Sequence, residues 1–186
     1  QVLVESLGRY QAQLQGETPE AQFLWDNASK SDAKPIDENK FADHVKTHLE
    51  KDLKHRGIVL NREVRIHRGE RTDIQVNAII HTASAESYDS ITVIIECKGC
   101  WNPGLHDAMR DQLVGRYLKD NRCQHGLYLV GWFNCVKWSG RDRRKNQALR
   151  LCPNIDDTRH KLTASAANLS KDLIRVRSVV LDASLR

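Results

Sequence analysis

The sequence lacks any apolar run close to the roughly 18 residues that a membrane-spanning helix needs, and its N-terminus lacks the basic-then-apolar layout of a signal peptide. Glycine and proline are also scarce, with 10 and 4 residues among 186, which excludes a collagen-like or low-complexity chain. No internal repeat is visible. We therefore expect a folded, cytoplasmic protein without a membrane partner.

The cysteines do not indicate a disulfide framework, because there are five of them at irregular spacing. We expect free thiols. Lysine and arginine outnumber aspartate and glutamate by 29 to 24, which favours a polyanionic partner. The first residue is Gln rather than Met, so we also expect other domains to be fused to this chain in a longer protein.

The hydrophobic pattern predicts a single α/β domain with a small helical appendage. Residues 1–34 contain two short helical patterns and a polar linker, and we place the main domain at 35–186, with its core at about 37–133 and basic and C-terminal elements at 134–186. Within the core, apolar residues recur every four positions from Asp37 to Arg56, which predicts an amphipathic helix that stops at Gly57.

Strand and helix patterns then alternate in an order that predicts helices packed on a mixed sheet. The third strand is nearly continuous in β-branched residues, so we place it at the centre of the sheet. The predicted elements are strands at 58–67, 72–81 and 90–97, with a hairpin turn at 68–71, a helix at 103–120, a strand at 126–133, a helix at 156–169 and a strand at 173–181.

Three chemically reactive side chains are expected to meet at one end of this sheet. Side chains alternate along a strand, so Glu96 and Lys98 share a face while Cys97 points the other way. An antiparallel hairpin brings Asp73, near the start of the preceding strand, beside the end of the next. Two neighbouring carboxylates repel unless a cation lies between them, and oxygen ligands are what Mg²⁺ prefers.

Three further polar residues are expected on inward helix faces. Glu38 lies on the apolar side of the first core helix, where an unpaired carboxylate is costly and a metal would explain it. Gln112 and Arg116 fall in the middle of the apolar stripe of the later helix. The bland alternatives are a favourable macrodipole for Glu38 and backbone carbonyls as partners for Gln112 and Arg116.

Asp73, followed after 22 residues by Glu96-Cys97-Lys98, on an α-β-β-β-α-β order, resembles the PD-(D/E)xK nuclease superfamily over about residues 37–133. The resemblance implies a restriction-endonuclease-like fold in which Asp73 and Glu96 bind the metal, Lys98 assists the attacking water, Glu38 adds a metal contact and Gln112 supports the site. Two departures stand out: Thr72 occupies the position of the family's Pro, and Arg116 occupies the position one turn after Gln112, where some exonuclease branches carry an aromatic residue.

The resemblance implies a DNA endonuclease that uses Mg²⁺, for which Mn²⁺ can substitute, and that acts on double-stranded DNA. Members of this superfamily serve in restriction and anti-phage defence, and many cut as homodimers. An exonuclease or junction resolvase of the same superfamily is one alternative. A catalytically silent nuclease-fold domain that binds nucleic acid or a protein is the other, and a surface ion pair is the bland interpretation of Glu96 and Lys98.

A basic segment beyond the core is the candidate DNA-binding surface, since cations contact phosphates and an aromatic can stack on a base. A solvated charged face is the alternative interpretation. Together with Arg116, the candidate residues are Trp138, Arg141, Arg143, Arg144 and Lys145.

Two patterns suggestive of zinc are set aside. Cys97 and Cys100 form a C-x-x-C, but a strand directs Cys97 into the core and no second C-x-x-C exists. His44 and His48 have the spacing of zinc proteases, but Val45 stands where the general-base glutamate is needed. We expect buried or loop cysteines and two exposed histidines.

Overall fold

The computed structural model describes residues 1–65, 71–81 and 88–186. It contains α-helices α1 to α4, β-strands β1 to β7, one short 3-10 helix and one π-helix. In chain order they are α1 Val2–Gln15, the 3-10 helix Glu20–Leu24, β1 Trp25–Asp26, β2 Lys34–Pro35, α2 Glu38–Leu53, β3 Ile58–Arg65, β4 Arg71–His81, β5 Tyr88–Gly99, the π-helix Met109–Leu118, β6 His125–Trp132, α3 Arg143–Leu151, α4 Ile155–Leu169 and β7 Arg175–Asp182.

Five strands form one mixed sheet in the order β3-β4-β5-β6-β7. The β3-β4 and β4-β5 pairs are antiparallel, and β6 and β7 continue the sheet in parallel with β5. Strand β5 is therefore central, as its β-branched sequence predicted, and Ile94 and Ile95 on its two faces are fully buried. The predicted hairpin turn at 68–71 lies largely outside the described residues.

Helices cover both faces of the sheet. An added Cβ at Gly131 would lie 3.1 Å from Phe41 of α2, and one at Gly126 would lie 3.1 Å from Leu113 of the π-helix. Successive residues of a strand face opposite sides, and Gly126 and Gly131 are five positions apart on β6, so they face opposite sides of the sheet. Helix α2 and the π-helix therefore cover opposite faces. Helix α1 packs with α2 and β7, and α4 contacts both β7 and the π-helix. The predicted α/β class, a mixed sheet flanked by helices, is confirmed.

Helix α2 forms as the sequence pattern predicts. Asp37 caps it by accepting a hydrogen bond from the Lys40 amide at 2.8 Å, and Gly57, with φ of +63°, follows where the chain turns toward β3. The apolar residues spaced every four positions are all fully buried, so this stripe holds the helix on the sheet and fixes the direction of its N-terminus. They are Phe41, Val45, Leu49 and Leu53.

Residues 1–34 share the hydrophobic core with the sheet. Leu7 and Leu14 of α1 are fully buried, and Gln15 donates hydrogen bonds to the carbonyl oxygens of Asp182 and Ser184 at 3.1 and 2.9 Å. The division of the chain at residue 34 stays a prediction, because a buried core contact alone does not define a folding unit. None of the helices in the described part of the chain is long and apolar enough to cross a membrane.

The predicted helix at 103–120 differs most from expectation. Turns occupy residues 101–107, and the helix that follows is wound as a π-helix, in which backbone bonds run from i to i+5. Gly115 suits this winding, because an added Cβ there would already lie 3.0 Å from the Arg110 carbonyl oxygen five residues earlier. The angle between successive side chains of this helix therefore differs from the 100° per residue of the α-helix that the sequence pattern predicted.

Candidate active site

The register of the β4-β5 pair places Asp73 across from Glu96. Ile74 pairs with Ile95 in antiparallel register, so the preceding and following residues face one another, as the predicted hairpin required. The Asp73 Oδ2 accepts a hydrogen bond from the Cys97 amide at 2.8 Å. This bond holds the Asp73 carboxylate against the end of the central strand, beside Glu96.

Glu96 and Lys98 form a buried ion pair on one face of β5. The Lys98 Nζ lies 2.5 Å from Glu96 Oε1, and the two residues are only 9 % and 2 % exposed. The interpretation as a surface ion pair is therefore wrong. Burying two charges costs more than a surface pair does, and such a pair is weak support for stability, so its presence at a strand end favours a functional role.

The charges of this cluster are unbalanced. Burial raises the pKa of Glu96, and the neighbouring Asp73 carboxylate raises it further, so that together they outweigh the opposing effect of Lys98. Burial disfavours the protonated form of Lys98, but the carboxylates of Glu96, Glu38 and Asp73 outweigh it and raise the pKa of the amine. The cluster contains three carboxyl groups, those of Glu38, Asp73 and Glu96, and one amine, so it favours an additional cation.

Glu38 reaches the same strand end from the opposite layer. As the first residue of α2 it points toward the end of β5, where its Oε1 accepts hydrogen bonds from the Gly99 amide at 2.8 Å and from Asn102 Nδ2 at 2.9 Å. Its position at the helix N-terminus also satisfies the macrodipole interpretation. The structure thus brings Glu38 to the residue after Lys98, with its carboxylate held by two donors.

Asn102 is a contact of the site that sequence reasoning missed. Its Nδ2 also lies 3.0 Å from Glu38 Oε2, and its Oδ1 accepts a hydrogen bond from the Gly104 amide at 2.8 Å. The second bond is the local turn that asparagine commonly makes, and the sequence Asn102-Pro103-Gly104 carries that signal. Nothing in the sequence indicates that the turn aims the amide at a helix 64 residues away.

Trp101 forms the wall of an open cleft beside Glu38. The cleft is lined by Asp37, Glu38, Asn39, Trp101, Asn102, Pro103 and Arg144. An added Cβ at Gly99 would lie 2.4 Å from the Trp101 ring, so the last residue of β5 must be glycine for the indole to fold across it. Trp101 also packs on Phe133, with ring centroids 5.2 Å apart, and therefore both fills the core and lines the cleft beside Glu38.

Gln112 and Arg116 lie on the π-helix, which covers the face that carries Glu96 and Lys98. Both are half-buried, and Gln112 Oε1 is a buried acceptor that no donor among the described residues satisfies. A π-helix has about four to five residues per turn, so Arg116 at i+4 and Tyr117 at i+5 both lie about one turn after Gln112. The departure noted from the sequence, a missing aromatic one turn after Gln112, is therefore only partial, because Tyr117 stands next to Arg116 about one turn after Gln112.

The predicted basic segment divides into a buried and an exposed part. Trp138 is 1 % exposed and its indole donates to Asp142 Oδ2 at 3.0 Å, so it cannot stack on a base and its assignment to nucleic-acid binding is corrected. Arg144 donates to the Pro35 carbonyl at 2.7 Å, and Lys145 donates to the Trp138 carbonyl at 2.5 Å. Both cations therefore hold loops together, because each supplies a donor to a backbone carbonyl oxygen that would otherwise lack one.

The guanidinium of Arg144 also lies 4.8 Å above the Trp101 ring, so this residue borders the cleft while serving as a structural tie. Arg141 and Arg143 are exposed, as a surface that binds a polyanion requires.

Metal-binding cysteine or histidine clusters are not found in the described ranges. No group of three or more His, Cys, Asp or Glu side chains that could hold a metal ion occurs among those residues, and the five cysteines are free thiols. The prediction of two exposed histidines is wrong for His48, which is 8 % exposed. It stacks on Tyr10 at 4.5 Å and contacts the Ser6 carbonyl oxygen at 3.0 Å, because α1 packs over it.

Comparison of the chain with models of known protein families, with curated proteins and with solved structures finds no match. The function of the site must accordingly be argued from its own geometry and chemistry.

Proposed function

We propose that this chain is a metal-dependent nuclease that hydrolyses DNA phosphodiester bonds, with Asp73, Glu96 and Lys98 at its centre. The observation that carries the proposal is the juxtaposition of the Asp73 and Glu96 carboxyl groups at the end of the central strand, with Lys98 Nζ 2.5 Å from Glu96. This is the arrangement that the resemblance to the PD-(D/E)xK superfamily implies. The sheet order and the helices on both faces are compatible with a restriction-endonuclease-like fold.

The donor set fits a magnesium ion. Mg²⁺ is commonly held in proteins by one or two carboxylates and keeps several waters, so Asp73 and Glu96 suffice although no group of three ligands occurs in the described ranges. Glu38 fits a supporting role better, because its carboxylate already accepts hydrogen bonds from Gly99 and Asn102. When bound, the ion supplies Lewis-acid polarisation of the phosphoryl oxygen and lowers the pKa of water.

The chain's own residues supply the remaining chemistry. Lys98 holds a fixed positive charge in a buried site, where it stabilises the negative charge that builds on the phosphate more strongly than it could in water. Gln112 has a buried Oε1 without a donor among the described residues, and its role in the proposal is to orient a water. The water oxygen forms the new bond to phosphorus, the bond to the 3′-oxygen breaks, and that oxygen takes up a proton. The products are a 5′-phosphate and a 3′-hydroxyl.

Endonuclease action on duplex DNA, within a restriction or anti-phage protein, is the form we propose by analogy with the superfamily. An exonuclease of the same superfamily is the second candidate, and one observation favours it: Tyr117 lies about one π-helical turn after Gln112. Linear DNA with blocked ends separates the two forms, because an endonuclease cuts it and an exonuclease does not.

The decisive test is cleavage of supercoiled plasmid in Mg²⁺ or Mn²⁺, by the wild type, by Asp73→Ala and by Lys98→Ala. We expect each substitution, and EDTA, to reduce cleavage at least about 10²–10³-fold, as loss of one preorganised electrostatic group does. Lys46→Ala is the matched control, because Lys46 pairs with Glu50 on the surface of α2. Circular dichroism must first establish that every variant is folded.

Equal rates for the wild type, Asp73→Ala and Lys98→Ala contradict the catalytic role. DNA binding that persists in EDTA without any cleavage in Mg²⁺ supports the alternative of a catalytically silent binding domain.

A further inference from the structure

Two exposed arginines left over from the basic segment share a cleft with a lysine from a distant part of the chain. The cleft is lined by Asp32, Lys34, Ser139, Arg141, Asp142 and Arg143. Lys34, Arg141 and Arg143 are all exposed, and none of them forms a salt bridge with a carboxylate of the described ranges. These three residues, named here the basic cleft, present their charges to solvent.

The cleft also contains two carboxylates, Asp32 and Asp142, and the second of them is paired with a cation. Asp142 is tied to Arg144, whose Nη2 donates to its Oδ2 at 2.8 Å, and to the Trp138 indole. Hydrogen bonds from these groups outweigh burial and lower the pKa of Asp142, which therefore stays ionised and paired. Asp32 accepts a hydrogen bond from Asn27. The side chains that line the cleft thus keep an excess of positive charge, which suits a polyanion.

The two walls of the cleft are held together by backbone contacts. The Ser139 amide donates to the Ala33 carbonyl at 2.7 Å, and Arg144 donates to the Pro35 carbonyl at 2.7 Å. The side chains of Arg144 and Lys145 thus hold the loops together through backbone carbonyls, while Arg141 and Arg143 are exposed on the same loops. Charges on a preorganised surface lose less conformational entropy on binding than charges on a mobile tail.

The basic cleft is linked to the candidate active site through Glu38. Lys34 precedes Glu38 by four residues, so their Cα atoms are at most about 14 Å apart. Glu38 in turn accepts a hydrogen bond from the Gly99 amide, next to Lys98, and Arg144 lies over Trp101 in the cleft beside Glu38.

We propose that the basic cleft of Lys34, Arg141 and Arg143 binds the phosphate backbone of duplex DNA on the side of the candidate active site where Glu38 lies. This inference rests on the proposed nuclease function. No aromatic residue lines the cleft, whereas proteins that bind single strands commonly offer aromatic rings for stacking, so a duplex backbone is the better fit. Contacts to phosphates set position and do not read sequence.

The test is binding of a fluorescent 20-bp duplex in EDTA, measured by anisotropy over a range of salt concentrations. The triple variant Lys34→Gln, Arg141→Gln, Arg143→Gln removes three cations, so the slope of log K against log salt should become shallower by up to about 2.7. Lys51→Gln, Lys54→Gln, Arg56→Gln is the control, because it removes the same charge from exposed residues at the far end of α2.

A second measurement locates the contact. Neutral methylphosphonate linkages, placed singly along the duplex, should weaken binding of the wild type at the phosphates that the basic cleft contacts and should not weaken binding of the triple variant at the same positions. The proposal is overturned if the triple variant and the control have equal salt slopes. It is also overturned if the same methylphosphonate positions weaken binding of the wild type and of the triple variant. The proposal is likewise overturned if an acidic protein displaces the fluorescent duplex more strongly than unlabelled duplex DNA does.

Because binding is measured in EDTA, its outcome is independent of catalysis. Cleavage by the wild type together with unchanged binding by the triple variant refutes the basic cleft alone. Salt-dependent binding through the cleft without any cleavage in Mg²⁺ or Mn²⁺ refutes the proposed nuclease function alone.

Discussion

Two polar regions of this protein were conspicuous in its sequence, and the structure treats them differently. In the acidic region the residues lie together as predicted. Asp73, Glu96 and Lys98 lie at one end of the sheet, and Glu38 contacts the same end from α2. The basic segment is divided, since Trp138 enters the core while its neighbours Arg141 and Arg143 stay on the surface.

The difference lies in what constrains each side chain. Along a strand, alternate residues must face alternate sides, so the direction of Glu96 and Lys98 follows from their spacing once the strand is recognised. A loop that leads into a helix has no such period. There the direction of each side chain is decided by the partner it finds, such as the Pro35 carbonyl for Arg144.

The division of the basic segment makes the largest stability difference. Trp138→Ala should lower the free energy of unfolding by about 3–5 kcal/mol, because it empties a fully packed site in the core. Arg143→Ala should change it by less than about 0.5 kcal/mol, as an exposed substitution does. Urea denaturation followed by tryptophan fluorescence and circular dichroism measures both. A Trp138→Ala protein as stable as Arg143→Ala would break the contrast between the buried and exposed parts.

Asn102 sharpens the acidic side of the comparison. Asn102→Ala removes both hydrogen bonds from its amide to Glu38, and bonds to a charged group contribute about 1.5–3 kcal/mol. If Glu38 must be held for catalysis, plasmid cleavage should fall about tenfold or more. The control is Asn121→Ala, because Asn121 bonds to the Tyr117 carbonyl at the far end of the π-helix. Unchanged cleavage by Asn102→Ala means that Gly99 alone positions Glu38.

Glu96 separates a functional from a structural ion pair. Glu96→Gln removes one charge from a buried, negatively charged cluster, so in EDTA it should raise the free energy of unfolding by about 0.5–2 kcal/mol while it abolishes cleavage. A pair retained for stability would behave in the opposite way, because Lys98 would lose its closest partner. Thermal unfolding of the wild type and Glu96→Gln in EDTA decides between the two.

The smallest expected effect concerns His48, a polar residue buried between α1 and α2. Burial lowers its pKa below the ordinary value of about 6.5, so below that pH the unfolded chain binds more protons than the folded one. The free energy of unfolding should therefore fall as the pH decreases from 7.5 to 5.5. His44, whose pKa burial also lowers, contributes in the same direction.

Denaturant titrations at both pH values measure this dependence, and His48→Gln should weaken it. A fall of equal size in His48→Gln would assign the effect to other groups.

Much of the architecture could be predicted because it depends on local patterns. The stripe of Phe41, Val45, Leu49 and Leu53, the cap at Asp37 and the break at Gly57 delimit α2 within a few residues. The π-helix could not be predicted, since its i to i+5 bonds leave no period that distinguishes them from an α-helix over ten residues. The contact of Asn102 with Glu38 was equally hidden, because it joins residues 64 positions apart.

The sequence by itself determined the α/β class, the central position of β5 and the shared face of Glu96 and Lys98, because hydrophobic periodicity and strand alternation act over a few residues. Only the tertiary structure decided that their pair is buried, that Trp138 belongs to the core, and that Lys34 joins Arg141 and Arg143 in one cleft. These features depend on contacts between distant segments, whose energies no local pattern encodes.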